Sequence, residues 1–250
     1  MSTPSIWTID IETAPNTVYT WGTYNQFVST KQIIKPGYIL SFAAKKLGTK
    51  QVEYFSVWHS GKERMVERLW EILDDADGII GYNSKNFDIK WINAALQEQG
   101  YAPPSPYEHI DLLLTMRREF KNPSNKLEYV LKKFKLDTKL ETGGFGLWIG
   151  CMDGDPKSWA TMKRYNKQDV KTTELLYHEL LPWIKTHPNY GVFANAIVPM
   201  CKNCGSTDLT ALDNLRYTKV ATYAQHRCDN CGTINQERKR FTKPTDGILK

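Results

Sequence analysis

Two short cysteine knuckles limit the folds open to this chain: Cys201-Lys-Asn-Cys204 followed by Gly205, and Cys228-Asp-Asn-Cys231 followed by Gly232. Each presents two thiols in a tight turn, and the trailing glycine lets the backbone bend back. Two such knuckles together supply the four sulphurs of a tetrahedral site. The stretch between them contains LRYTKVATYAQHRC, whose β-prone pieces suit a small ribbon. A disulfide pair or a redox Cys-x-x-Cys are the competing readings. Without a secretory segment to imply an oxidising compartment, the paired spacing favours one structural Zn²⁺ held by Cys201, Cys204, Cys228 and Cys231. The fifth cysteine, Cys151, is expected to pack as a small hydrophobe.

Upstream the hydrophobic pattern changes character. Strand patterning is expected over 5–12, 38–46, 51–58, 78–82 and 108–112, with helices over 62–76 and 87–99 and further helices through 186. Early strands followed by alternating helices and strands describe an α/β domain with a mixed sheet flanked by helices. A chain of 250 residues, 41% hydrophobic, can hold one such domain and a small module. We expect a larger domain over 1–190 and a zinc-ribbon domain with a basic tail over 197–250, the boundary lying in HPNYGVFANAIVPM. No apolar run approaches the ~20 residues needed to span a membrane. Met1-Ser-Thr-Pro leads straight towards the first strand, so the expectation is a soluble, intracellular, cytoplasmic protein.

Four acids occur in order along the larger domain. Asp10 and Glu12 in IWTIDIET would share one face of a strand, because side chains alternate with period two. Asp88 in GYNSKNFDIKW falls where a short strand turns into an amphipathic helix. Asp169 in RYNKQDV follows Tyr165 by one helical turn. Taken singly, each has a plainer reading: a solvated strand face, a first-turn acid favoured by the helix dipole, a surface pair. Taken together, four gathered carboxylates repel unless divalent cations neutralise them, and hard oxygen ligands select Mg²⁺ or Mn²⁺.

The order of these motifs resembles the DEDD exonuclease superfamily. Its first motif is Asp-x-Glu, its second ends in Asp, and its third carries Tyr or His before the last Asp; Tyr165-x-x-x-Asp169 is similar to the Tyr subclass. Gly81-Tyr82-Asn83-x-x-x-Phe87-Asp88 resembles the second motif of the proofreading domains of family-B DNA polymerases. The resemblance covers roughly residues 5 to 186; residues 13–37 and 137–160 have no counterpart in it. It implies a ribonuclease H-like fold in which Asp10, Glu12, Asp88 and Asp169 ligate two Mg²⁺ or Mn²⁺ ions about 4 Å apart. Tyr165 would then orient the attacking water, since a phenol of ordinary pKa near 10 suits hydrogen bonding better than acting as a strong base.

The implied activity is a 3′-to-5′ exonuclease that releases nucleoside 5′-monophosphates from single-stranded nucleic acid, DNA favoured. Two other readings stand beside it: a non-catalytic nucleic-acid-binding or adaptor module, and a ribonuclease or endonuclease using the same metals. The implied partners are nucleic acid with a free 3′ end and a separate polymerase, replication or repair protein, with no membrane. A phage or bacterial setting in nucleic-acid metabolism fits the short free-standing exonucleases it resembles.

Net charge is +6 despite the four acids, so positive charge lies elsewhere. Between 116 and 139, Arg117, Arg118, Lys121, Lys126, Lys132, Lys133, Lys135 and Lys139 outnumber Glu119, Glu128 and Asp137. This is either a phosphate track or the solvated face of a helix whose Leu127, Val130, Leu131 and Phe134 face a core. In the ribbon and its tail, Arg216, Tyr217, Arg238 and Arg240 mix cations with aromatics, which suits single strands and equally suits an ordinary ribbon surface. Asn83 and Phe87 join the candidate contacts by their place in the second motif. Asp111 is expected to cap the helix that follows it.

Overall fold

The structure, a computed structural model, describes residues 3–136 and 143–241. Asp137 and Lys139 of the basic stretch lie outside the described residues. The chain divides into two compact units, one of Ser5–Leu176 and the other of Met1–Pro4 with Tyr177–Lys250.

In the larger unit β1 (Ile6–Thr13) is followed by a two-stranded pair, β2 (Thr17–Val18) and β3 (Ile33–Lys35). Next come β4 (Ile39–Lys46), β5 (Glu53–Ser56), α1 (Lys62–Asp75), β6 (Gly78–Gly81), α2 (Asp88–Glu98) and β7 (Glu108–Asp111). The sheet order is β5-β4-β1-β6-β7. β1 runs antiparallel to β4 and parallel to β6, so the sheet is mixed, as expected. Helices α3 (Leu112–Glu119), α4 (Leu127–Lys133), α5 (Gly146–Met152) and α6 (Pro156–Leu180) complete the series.

The pleat of β1 sorts its side chains. Ile9 and Ile11 point into a core built with Met65, Val66, Leu69, Ile72 and Leu73 of α1 and Ile89, Ile92 and Leu96 of α2. Their spacing of three and four residues is the apolar stripe of a helix, and each fully buried aliphatic contributes about 1.5–3 kcal/mol. Asp10 and Glu12 alternate with these residues and take the opposite face. On α6 the buried stripe runs through Trp159, Met162, Tyr165, Asn166, Asp169, Val170, Thr173 and Leu176. Ser41 and Lys45 of β4 bond Asn166 and Glu174 of α6, fixing the helix along the strand.

The third-motif helix ends at Leu180 and tightens to a 3₁₀ turn over Leu181–Trp183, short of the expected Thr186. Pro182 explains the difference: it has no N–H to donate and its ring crowds the preceding turn. The smaller unit holds α7 (Tyr190–Phe193) and an antiparallel sheet of β8 (Leu209–Tyr217), β9 (Thr222–Cys228) and β10 (Ile234–Gln236) in the order β10-β9-β8. No described helix is long and apolar enough to cross a membrane.

Candidate functional site

Asp10 and Glu12 of β1 and Asp169 of α6 each bring a carboxylate oxygen within 4.8 Å of the other two. Strand period accounts for the first pair and the buried stripe of α6 for the third, which is 2% exposed. Three carboxylates this close disfavour their common charged state unless a cation intervenes. Asn166, fully buried one residue after Tyr165, donates its side-chain N–H groups to the Asp10 carboxylate at 2.7 Å and to the Asp10 backbone carbonyl at 3.1 Å. Its own carbonyl accepts the Ser41 hydroxyl at 3.2 Å. Trp148 of α5 donates its indole N–H to Glu12 at 3.1 Å and meets the Tyr165 ring edge-on, with centroids 6.1 Å apart. Tyr165 is buried on the same helix one turn before Asp169.

Asp88 is the first residue of α2 and is not one of that carboxylate trio. Its Oδ1 accepts the backbone N–H of Ile11, the residue between Asp10 and Glu12, at 3.1 Å. The approach to it is sharply bent. A Cβ on Gly81 would sit 2.5 Å from the Ser84 Cβ, and Asn83 holds φ at 64° in the left-handed region. Asp111 fixes this bend as well as capping α3: its carboxylate accepts N–H groups from Asn83 and Lys85 on one side and from Leu113 and Leu114 on the other.

Burial, with the Asp111 carboxylate adding to it, pushes the Asp88 carboxyl up to about 6, against the pull of the Ile11 N–H. A raised folded-state pKa favours the protonated form, so this stability is fully present below the ordinary carboxylate pKa and is lost as pH rises through about 6. With no Mg²⁺ or Mn²⁺ added, Asp88→Asn should therefore stabilise the protein at pH 7.5 by up to about 3 kcal/mol. The advantage should shrink as pH falls towards 4. Denaturant melts across that range check this, and a pH-independent difference would refute it.

In the smaller unit the four thiols of Cys201, Cys204, Cys228 and Cys231 lie within 4.8 Å of one another, and all are free. Cys201 and Cys231 are 3.6 Å apart, as are Cys204 and Cys228, too far for disulfides at ~2.05 Å. The knuckles repeat one geometry: Gly205 N–H bonds the Cys201 carbonyl at 2.9 Å, and Gly232 N–H bonds the Cys228 carbonyl at 2.8 Å. Both glycines have positive φ, 75° and 77°. Burial pushes the Cys204 and Cys231 thiols up. Burial opposes ionisation of Cys201 too, but backbone N–H groups of Asn203 and Cys204 and the Asn235 side chain pull its thiol down to about 7.

A protein-family model of the RNase H superfamily matches residues 8–181. The chain belongs to the RNase H superfamily. No curated protein matches it. Among solved structures it is similar to the crystal structure of Trypanosoma brucei RNase D, at 19% identity and a TM-score of 0.44. That match covers 70% of this chain and 56% of the other, so the chain spans little more than half the length of that protein.

The superfamily match runs from within β1 to just past α6 and takes in Asp10, Glu12, Asp88, Tyr165 and Asp169, while the four knuckle cysteines lie beyond it. Within this RNase H superfamily domain, Asn83 and the exposed Phe87 lie on the bend before Asp88. Arg117 and Arg118 lie in the last turn of α3, with Arg118 paired to Glu119 at 2.6 Å, and Lys126 precedes α4. Val130 and Leu131 are buried, so the basic stretch combines a core-facing stripe with an exposed cationic face. Arg216 and Tyr217 on β8, and Arg238 and Arg240 after β10, are exposed in the other unit.

Three residues escaped the sequence reading: Asn166, Ser41 and Trp148. Asn166 sits inside the third motif, but nothing in RYNKQD marks it as Asp10's hydrogen-bond donor. Ser41 becomes visible only with the register that pairs it with Glu12. Asn166→Ala should lower any activity of this site about 10- to 100-fold and raise the Mg²⁺ concentration needed for half-maximal rate. A metal titration of the variant reads both. An unchanged titration curve and rate would show that Asn166 does not position Asp10.

Proposed function

We propose that the protein is a metal-dependent nuclease of the Tyr-type DEDD kind, removing nucleoside 5′-monophosphates from the 3′ end of single-stranded nucleic acid. The observation that carries this is the convergence of Asp10, Glu12 and Asp169 within 4.8 Å, with Tyr165 one turn before Asp169. All four, and Asp88, fall within the superfamily match.

The donor set fits hard divalent cations: clustered, half-buried or buried carboxylate oxygens suit Mg²⁺ or Mn²⁺ and supply no soft ligand. When bound, two such ions would lower the pKa of water and neutralise charge on the phosphate and the leaving 3′ oxygen. The chain does the rest. Asn166 and Trp148 fix the orientations of Asp10 and Glu12, so little reorganisation is needed when the phosphate arrives. Tyr165 holds the attacking water in line with the bond to be broken. Water gives up a proton to solvent as its oxygen bonds to phosphorus, the P–O3′ bond breaks, and the 3′ oxygen takes up a proton. Candidate nucleic-acid contacts are Asn83, Phe87, Arg117, Arg118 and Lys126 in this domain, and Arg216, Tyr217, Arg238 and Arg240 in the smaller unit, the cations for phosphates and the rings for bases.

For the cysteine cluster we propose one structural Zn²⁺. A tetrahedron with Zn–S bonds of ~2.3 Å has edges of ~3.8 Å, close to the 3.6 Å observed for two pairs of sulphurs. Four soft thiolates with no open position suit a structural ion. Domains over 1–190 and 197–250 remain the proposed division of labour.

The test is a time course on 3′- and 5′-labelled single-stranded DNA and RNA with Mg²⁺, Mn²⁺ or chelator. A ladder shortening from the 3′ end, absent with chelator, is expected, and the preferred sugar is read from the same gel. Cutting of a circular single strand would mean an endonuclease, and no cutting by folded protein would leave a binding module.

A further inference from the structure

The stretch that leaves the site strand has no counterpart in the motifs above. After Thr13, the residue next to Glu12, the chain departs from β1, forms the short β2–β3 ladder, and returns into β4. Its base is closed by the Ala14 N–H on the Tyr38 carbonyl at 2.8 Å and the Gly37 N–H on Asn16 at 2.7 Å. Gly37 is required there, since a Cβ would stand 2.5 Å from the Ala14 carbonyl oxygen. Above the ladder the tip is held by its own polar bonds: Tyr19 and Gln32 are paired through N–H to carbonyl at 3.1 Å, and Ser29 and Gln32 form a reciprocal cap.

What the tip displays is aromatic. Tyr19, Trp21, Tyr24 and Phe27 are 75%, 100%, 82% and 89% exposed. Large rings left in water at this density mark an interaction surface, because folding gains nothing from them there. Their setting selects the partner. From 13 to 38 the sequence contains no Asp or Glu, and its two charges, Lys31 and Lys35, are both exposed and positive. The residues interleaved with the rings are Thr20, Gly22, Thr23, Asn25 and Gln26, polar or small rather than aliphatic. Ring faces, scattered cations and no acids are what stacking on unpaired bases and following phosphates require. Paired bases would offer no free faces.

We infer that the arm of residues 13–38 binds single-stranded nucleic acid by stacking bases on Trp21, Tyr24 and Phe27, with Lys31 and Lys35 against phosphates. The arm deepens the nuclease reading and rests on it for the direction of feeding: its two ends are β1, which carries Asp10 and Glu12, and β4, which carries Ser41. A strand seated on it is tethered beside the carboxylates.

The test uses the full chain with Asp10→Ala and no added divalent cation, so that nothing is cut. Fluorescence anisotropy is read with oligothymidylate, oligouridylate and a duplex, each of about 20 nucleotides. Trp21→Ala/Tyr24→Ala/Phe27→Ala should weaken binding of at least one single strand about 30-fold or more, with the thermal melt unchanged. Lys31→Gln/Lys35→Gln should weaken it less and flatten the dependence of log Kd on log salt by about 1. The duplex should bind at least tenfold more weakly than the single strand. The two single strands separate DNA from RNA as the source of the bases. Unchanged affinity in the aromatic variant, or a parent that binds neither single strand, overturns the assignment, and in the first case leaves a protein as the arm's partner. A parent that binds through the arm while wild-type protein cuts nothing supports the arm and removes the nuclease reading.

Discussion

On the proposed nuclease reading, Asp10→Ala should lower the rate of 3′-end shortening at least about 10³-fold at saturating Mg²⁺, a loss of about 4 kcal/mol of transition-state stabilisation at 1.36 kcal/mol per decade. Asp10 belongs to the carboxylate trio and is the one held by Asn166 through both its side chain and its backbone carbonyl. Removing it takes away charge where cations would sit and leaves Asn166 one hydrogen bond short. Stability should shift by no more than about 1–3 kcal/mol, since the lost bond is offset by relief of repulsion among the remaining acids. Asp10→Asn separates the two roles: its side-chain oxygen still accepts from Asn166, while the charge is gone. If charge is what matters, both variants fail alike on the labelled-strand gel. A folded Asp10→Ala protein that cuts at the parental rate would end the nuclease assignment.

If the four-thiol site holds the proposed Zn²⁺, Cys228→Ser should empty it and unfold the three-stranded unit around it. Zinc per chain should fall from about one equivalent to well under half by elemental analysis, because a structural tetrathiolate site binds with about 10–16 kcal/mol of apparent free energy near neutral pH. The reason is what lies inside. Beyond the helix end and turn up to Ile184, the buried residues of the smaller unit, among those described, are Pro4, Pro188, Cys201, Asn203, Ala221, Cys228, Thr233 and Asn235. That is two proline rings, one methyl, two sulphurs and three polar groups, too little apolar core to hold three strands without a metal. Hydrogen exchange should show lost protection at the β8–β9 amides, with β6 and its Ile79 and Ile80 still protected. Full protection of β8 and β9 in the variant would show that the strands stand without the ion.

The strands and helices of the larger unit were legible because their patterns are strong. Period two in IWTIDIET and three-four spacing over 62–76 left little choice, and the observed limits differ from expectation by one or two residues there. The helix end at Leu180 was overrun because the apolar pattern continues through Leu181 and Trp183, while Pro182 stops the hydrogen bonding. Candidate acids were visible as residue types in a given order. Their supports were not: Asn166 reaches Asp10 across 156 positions and Trp148 reaches Glu12 across 136. Pairings of that separation depend on how α5 and α6 lie on the sheet, and a local pattern carries no trace of it. The offset of Asp88 was hidden for the same reason, since its partner is a backbone N–H, which every residue but proline possesses.

The closure between Ala14 and Tyr38 divides the chain into spacings that are rigid and spacings that are not. One residue, Ile11, separates Asp10 from Glu12, and one insertion between them would turn an acid into the core and an isoleucine towards the acids. Between Ala14 and Tyr38 the arithmetic is looser: beyond the short β2–β3 ladder the ends are pinned by the Ala14–Tyr38 and Gly37–Asn16 hydrogen bonds, and doubling the length of what lies between adds only about 0.6 kcal/mol of closure entropy. The arm is thus an exchangeable cassette set into a fixed chassis, free to lengthen, shorten or trade its rings while the carboxylates of β1 keep their register.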